Sequence, residues 1–203
     1  MSADSHDADI SAMRRLRDGE DLALNEIMER WQRRLTSYLL RYLGNETAAL
    51  DLAEETFVRV YQSRSKFQPR GEFSTWLFAI ATNLARQHFR WLKRHPAISI
   101  DSPEAGGDER PLGDRLPAND ANPRDAAEKD ERAKLVKEAV LALPHDLREA
   151  VVLFEYEDLS HEQIGKIAGC SPKAVETRLY RARQILREKL QHYLAETDDR
   201  ACL

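Results

Sequence analysis

The sequence predicts an all-α protein of two small helical domains, the second a helix-turn-helix, joined by a flexible acidic linker. Three observations lead there. Apolar residues recur every three or four positions through residues 1–95 and again through 126–203, which is the period of a helix with one covered face. Between them, residues 96–125 lose that period and are punctuated by Pro96, Pro103, Pro111, Pro117, Pro123, Gly106, Gly107 and Gly113. Finally, Ser160 and Gln163, then Gly169, then Ser171-Pro172 set out a cap, a turn and a second cap in quick succession.

Taken in order, Ile10, Met13 and Leu16 begin a helical segment that continues through Leu24, Ile27, Met28, Trp31, Leu35, Tyr38 and Leu39. Asp18-Gly19 predicts a break within it, and Gly44-Asn45 its end. A helix from Glu46 to Ser63 is expected to turn Leu50, Ala53, Phe57, Val58 and Tyr61 inward and Asp51, Glu54, Glu55 and Arg59 outward. Pro69 and Gly71 oppose regular structure, so Lys66–Glu72 reads as a shaped loop. Phe73–Arg94 then runs about six turns without a breaker until Pro96. Its first half is almost wholly apolar. Leu77, Ile80, Leu84 and Trp91 are expected to face inward, while Asn83, Arg86, Gln87, Arg90 and Arg94 form a cationic stripe with no carboxylate in the whole helix.

Leu135, Val136, Ala139, Val140 and Leu143 form one face of the next helix, and Pro144 suits the first turn of another through Leu147, Ala150, Val151, Leu153 and Phe154. Ser160-x-x-Gln163 has capping-box spacing and opens a short helix with Ile164, Ile167 and Ala168 inward. Gly169 makes the turn. Ser171 caps, and Pro172 begins, a longer helix with Val175, Leu179, Ala182, Leu186 and Leu190 on one side. Short helix, glycine turn and longer helix make a helix-turn-helix. The tail after Leu194 is polar and expected to fray.

Charge narrows the function. The chain carries a net −4, so it is not a basic nucleic-acid binder as a whole. The acid is concentrated instead: from Asp101 to Glu131 ten acidic residues face four basic ones. That leaves two basic faces. On Phe73–Arg94, guanidinium groups can hold phosphates, amides can read base edges and rings can stack, which suits an extended single strand. On the helix from Pro172 to Leu190, six basic residues meet two acidic ones. Lys173, Glu176, Thr177 and Arg181 lie where the start of a recognition helix meets base edges, with Arg178, Arg183 and Arg187 placed for phosphates. The bland alternatives are an aromatic core helix and a hairpin with a solvated basic side.

Other classes fall away. No apolar run is long enough to span a bilayer, and MSADSHDADI lacks the basic-then-apolar order of a signal peptide, so a cytoplasmic protein is expected. Cys170 and Cys202 match no metal-ligand spacing and read as reduced thiols; no metal or cofactor is expected. There is no H-E-x-x-H, phosphate-cradling glycine loop or nucleophile elbow, and His88, His95, His145 and His161 have no ligand spacing, which argues against an enzyme.

Two DNA-facing units on an acidic tether resemble the extracytoplasmic-function (ECF) group of bacterial sigma-70-family factors. DLAEETFVRVYQSRSKF followed by FSTWLFAIATNLARQHFR is similar to that family's region 2. ALPHDLREAVVLFEYEDLSHEQIGKIAGCSPKAVETRLYRARQILREKL is similar to its region 4, with no region 3 between. The resemblance implies a promoter-specificity subunit without catalysis, organised as 1–95 for polymerase docking and −10 element melting, 96–125 as linker, and 126–203 for the −35 element. It implies that Asp51, Glu54, Glu55, Phe57, Val58 and Tyr61 dock on the β′ clamp helices of core RNA polymerase, with the β flap as a second contact. It implies that Phe67, Phe73, Trp76, Asn83, Arg86, Gln87 and Arg90 capture a base flipped from the −10 element, a step that costs a few kcal/mol per base. Lys173, Glu176, Thr177, Arg178, Tyr180, Arg181 and Arg183 would meet the −35 element as duplex. The linker would thread the RNA-exit path, its acid standing in for nucleic acid, and an anti-sigma protein would hold the factor in reserve.

The sequence departs from the family pattern at one place. Where an acidic cluster usually precedes the docking helix, this chain has Ala48-Ala49-Leu50-Asp51. Glu54 and Glu55 are the carboxylates left to compensate, and phosphorylation of Thr47, or in second place Thr56, would restore charge. The competing function is a stand-alone helix-turn-helix regulator binding duplex DNA as a dimer, which leaves Phe73–Arg94 and the docking helix without a task.

Overall fold

A computed structural model describes residues 3–68, 72–95 and 123–201, with side chains placed for 7–68, 72–95 and 130–191. The acidic linker before residue 123, and with it most of the 96–125 segment, lies outside the described residues.

The first module is built from α1 (Ala3–Arg17), α2 (Ala23–Leu43), α3 (Glu46–Gln62), a 3₁₀ turn (Arg64–Lys66) and α4 (Phe73–Arg94). The break expected at Asp18-Gly19 separates α1 from α2. Asp9 is fully buried and joins the two: its carboxylate accepts from Trp31 Nε1 at 3.0 Å and Arg30 Nε at 2.9 Å. Gly44 ends α2 in the left-handed region at φ 75°, its N–H donating to Leu40 O. A Cβ there would also sit 2.8 Å from the Leu141 side chain, so glycine serves both the turn and a close approach by a distant segment. Asn45 then caps α3 by accepting from the Ala48 N–H at 2.8 Å.

Aromatic rings fill the centre of this module. Trp31, Tyr38, Phe73 and Phe78 meet edge to face with centroids 5.0–6.1 Å apart, the geometry that sets a positive ring edge on a negative face. The Tyr38 hydroxyl is satisfied inside by Thr82 at 2.6 Å. Four expected orientations are corrected. On α3, Leu50 and Val58 are exposed while Ala49, Ala53, Phe57 and Val60 are buried, so the covered stripe is rotated by one position. On α4, Trp91 is exposed and stacked on His95 at 4.9 Å, and Ile80 is only half-buried. The helix has outrun the core by then, and apolar character alone could not show where the core stops.

The second module contains α5 (Pro123–Leu141), α6 (His145–Glu155), α7 (His161–Ala168) and α8 (Pro172–Ala201). Val136, expected inward on α5, is exposed, whereas Ala139 and Val140 are buried. The capping box forms in both directions: Ser160 N–H donates to Gln163 Oε1 at 2.7 Å and Gln163 N–H to Ser160 Oγ at 3.3 Å. Gly169 turns the chain at φ 68°, and Ser171 Oγ accepts from the Ala174 N–H at 3.2 Å. Val175, Leu179 and Ala182 of α8 are buried, as their spacing predicts.

The modules lie against each other, α2 and α4 of the first packing on α6 and α7 of the second. The chain reads as two tethered units, and nothing in its hydrophobic period announces this contact. Buried apolar side chains of both modules join in one cluster, and charged side chains add to the contact. Arg34 Nε reaches the Glu157 carboxylate at 2.5 Å, and Arg148 donates to Tyr42 O at 2.9 Å.

Candidate nucleic-acid interface

Helix α4 presents Asn83, Gln87, Arg90 and Arg94 to solvent at spacings of four, three and four, so they share one face. Nothing acidic interrupts the stripe. Arg86, expected among them, is turned aside. Its guanidinium grips Glu149 of α6 with both arms, Nε at 2.9 Å and Nη2 at 2.7 Å, and reaches Ala168 O at 3.3 Å. The Tyr42 hydroxyl donates to the same carboxylate at 3.1 Å, and burial beside Glu149 pushes its pKa well up.

The three aromatic candidates divide. Phe73 and Phe67 are buried, 6.0 Å apart, and Trp76 is half-buried 5.2 Å from Phe67. The two phenylalanines are therefore core rings, a correction to the expectation that they face a base. Trp76 keeps a partly open face. Residues 69–71 of the loop lie outside the described residues.

On α3, Leu50, Asp51, Glu54 and Val58 form an exposed face of carboxylates beside apolar side chains. Glu55 borders it, paired with Arg59 at 2.7 Å. Phe57 is buried, and Tyr61 is half-buried with its hydroxyl donating to Asp21 at 3.0 Å, so these two support the face from behind. Thr47 is exposed in the first turn of α3. Thr56 is fully buried with its hydroxyl on Leu52 O at 2.6 Å, closed to any modifying enzyme in this conformation.

On α8, Lys173, Glu176, Thr177, Tyr180, Arg181 and Arg183 are all exposed, the Tyr180 ring among them at 62%. Lys173 Nζ bonds Glu176 at 2.8 Å and holds that carboxyl below its ordinary range. Thr177 donates to Lys173 O at 3.0 Å, and Gln184 to the Tyr180 hydroxyl at 2.8 Å. Arg183 bonds Glu155 at 3.0 Å and lies over the Phe154 ring, while half-buried Arg178 stands 3.8 Å from Asp146. These two arginines are anchored by neighbouring helices at the flank, and Arg181 is exposed.

Sequence reasoning passed over Tyr42, Arg148, Glu149, Arg34 and Glu157. A signal existed. Leu147 to Leu153 are all buried, and Arg148 and Glu149 stand inside that run. Charges within an unbroken buried stretch call for partners elsewhere in the fold.

This arrangement defines a class: an all-α, two-module DNA-binding protein, one helix face of each module cationic and exposed, with a separate acidic-apolar face on α3. Comparison with known proteins gives the family. The sigma-70 region 2 model matches residues 27–95, and the sigma-70 region 4 model matches residues 133–186. The chain is 31% identical over 179 residues to the ECF RNA polymerase sigma factor SigW of Bacillus subtilis, covering 88% of this chain and 95% of that protein. It is 30% identical over 192 residues to the RNA polymerase sigma-H factor of Pseudomonas aeruginosa, covering 95% and 98%. Among solved structures, CnrH in complex with the cytosolic domain of CnrY superposes with a TM-score of 0.65 at 24% identity, covering 91% of this chain and 98% of that one. The sigma factor RpoE in complex with the anti-sigma factor NepR from Bartonella quintana gives 0.61 at 22% identity, covering 84% and 98%. The chain belongs to the ECF group of the sigma-70 family: it is an RNA polymerase sigma factor, whose partners are the polymerase and promoter DNA. Among the described residues, no helix is long and apolar enough to cross a membrane.

Proposed function

We propose a division of labour among three faces. Asp51, Glu54, Glu55 and Val58, with Leu50, dock on the clamp helices of core polymerase, Phe57 and Tyr61 supporting them. Asn83, Gln87 and Arg90, with Trp76 as stacking partner, hold the −10 strand as it unpairs. Lys173, Glu176, Thr177, Tyr180 and Arg181 read the −35 duplex in the major groove, while Arg178 and Arg183 grip its phosphates. The protein works in the cytoplasm and carries out no chemistry of its own, since positioning and strand capture are its whole contribution.

The observation that carries this reading is the pair of exposed cationic faces on α4 and α8, each within a matched sigma region, in a chain of net charge −4. Exposed Leu50 and Val58 also suit the resemblance's expectation of an anti-sigma protein that covers the docking face when transcription is to be withheld.

The test is retention of core polymerase on the tagged protein, followed by run-off transcription from genomic promoter fragments. Specific transcripts that depend on the added protein are expected. Tight, specific duplex binding without polymerase, and no transcripts with it, would instead establish the stand-alone dimeric regulator.

A further inference from the structure

Helix α4 carries a tryptophan where a polar residue would have served. Trp91 is 40% exposed and takes no part in the buried apolar cluster. Tryptophan is among the more buried residues on average, since its ring carries a large apolar area. The packing of α4 does not call for it here. The ring is nonetheless held in place. His95 stacks on it with centroids 4.9 Å apart and planes 28° from parallel. The imidazole is itself fixed: His95 Nδ1–H donates to Trp91 O at 2.9 Å, and the His95 backbone N–H to the same oxygen at 3.0 Å. The helix ends in an aromatic pair braced by its own last turn.

The pair lies on the cationic face. Trp76, Asn83, Gln87 and Trp91 follow at spacings of seven, four and four, so they share one side of the helix. Arg90 and Arg94 flank the ring, both exposed, and α4 holds no carboxylate. Trp76 and Trp91 are fifteen positions apart, about 22 Å along the axis at 1.5 Å per residue. One stripe thus runs from ring to ring, with amides and guanidinium groups between. That is the composition of a single-strand track, in which phosphates meet cations and bases lie on ring faces.

We propose that Trp91, braced by His95, is a second stacking platform for the captured strand, at the end of α4 far from the loop. It takes a nucleobase of the −10 strand, while Arg90 and Arg94 hold the adjoining phosphates. The inference rests on the reading of α4 as the −10 face and adds a stop at the second end of the track. Trp76 and Trp91 bracket the unpaired segment and so set how many nucleotides α4 keeps open. The platform accepts a base of any identity, because every base presents a π-face. Sequence preference stays with Asn83 and Gln87.

The test uses holoenzyme and a forked fragment of a promoter found by run-off transcription. Abasic nucleotides are scanned through the unpaired strand, one position at a time. Trp91→Ala is expected to weaken binding about tenfold, the weight of one base–aromatic stack, and Trp91→Phe to recover most of it. The log–log salt slope should be unchanged in Trp91→Ala, because no phosphate contact is lost, whereas Arg94→Gln should lower it by about 0.7. The deciding readout is coupling. At one position the abasic nucleotide should weaken wild type about tenfold and leave Trp91→Ala unaffected. A tryptophan that merely stabilised the helix would weaken binding to every fragment alike. His95→Ala should lose part of the same coupling. Circular dichroism, thermal unfolding and retention of core polymerase should match wild type, as suits an exposed ring outside the core.

Equal binding by Trp91→Ala and wild type overturns the platform, as does an additive loss at every abasic position. Full coupling in His95→Ala overturns the brace. Gln87→Ala and Arg90→Gln are measured alongside. If they weaken binding and Trp91→Ala does not, the platform alone fails. If none of the three weakens it, or holoenzyme binds no forked promoter, α4 is not the −10 face and the inference falls with that reading.

Discussion

Arg148→Ala should be the most damaging single change outside the aromatic core. Arg148 is 8% exposed, and its guanidinium donates to Tyr42 O at 2.9 Å, Leu143 O at 3.1 Å and Leu141 O. Tyr42 and Leu141 lie at the C-terminal ends of α2 and α5, where carbonyls lack helical partners and the helix dipole favours a cation. Burial pulls the guanidinium below its ordinary pKa, but that value is high enough for it to remain charged. Alanine would strand three carbonyls. An unsatisfied buried acceptor costs about 1–3 kcal/mol, and water entering the vacated space offsets part of that, so about 2–4 kcal/mol in total is expected. Urea denaturation followed at 222 nm measures it, and for a chain of this size such a loss lowers Tm by roughly 5–15 °C. Arg148→Lys, which supplies a cation without the planar fork, should recover only part. A loss below about 1 kcal/mol would mean that solvent replaces the guanidinium freely, and that the three carbonyls do not depend on it.

Three further outcomes are expected. Arg181→Ala should weaken −35 binding by about 1–3 kcal/mol and relax preference at one base pair, whereas Arg183→Ala should weaken all sequences alike; competition binding on a −35 library distinguishes them. His145 packs 3.9 Å from Phe89, and burial, aided by Arg148, lowers its pKa, so the folded state prefers it neutral. Its stabilising preference is complete above the unfolded value near 6.5 and is lost as pH falls below it; the urea midpoint should drop on acidification, and less steeply in His145→Asn. Thr47 is exposed at the dipole-favoured end of α3, so a phosphothreonine there should tighten core polymerase binding, measurable by titration with enzymatically modified protein; equal transcription from Thr47→Ala and wild type in cells would remove that role.

How far the chain could be read depended on whether a feature is local. The Ser160 box, Gly169 and Ser171-Pro172 act within four residues of themselves, and they formed as written. The extent of α4 followed from the absence of a breaker before Pro96. Leu50 and Val58 were misread because an apolar side chain on a helix is a statement about solvent, and a surface awaiting a partner satisfies the same pattern as a core. Phe67 and Phe73 were misread in the opposite direction: rings beside a functional loop need not face its ligand, and these are covered by Trp76 and Trp31. The pairing of Arg86 with Glu149 was beyond reach. They are 63 positions apart, Arg86 looks like one more member of the cationic stripe, and only the packing of the two modules brings them together.

The partition of charge bears on how DNA binding is kept specific. Two basic helix faces within one chain would repel each other and attract nucleic acid indiscriminately, and the acid between Asp101 and Glu131 offsets both, leaving the net −4. Specific DNA binding then requires correct placement of each face, because bulk charge does not supply it. Under the proposed division of labour that placement is supplied on the polymerase, and the two DNA faces depend on the α3 face.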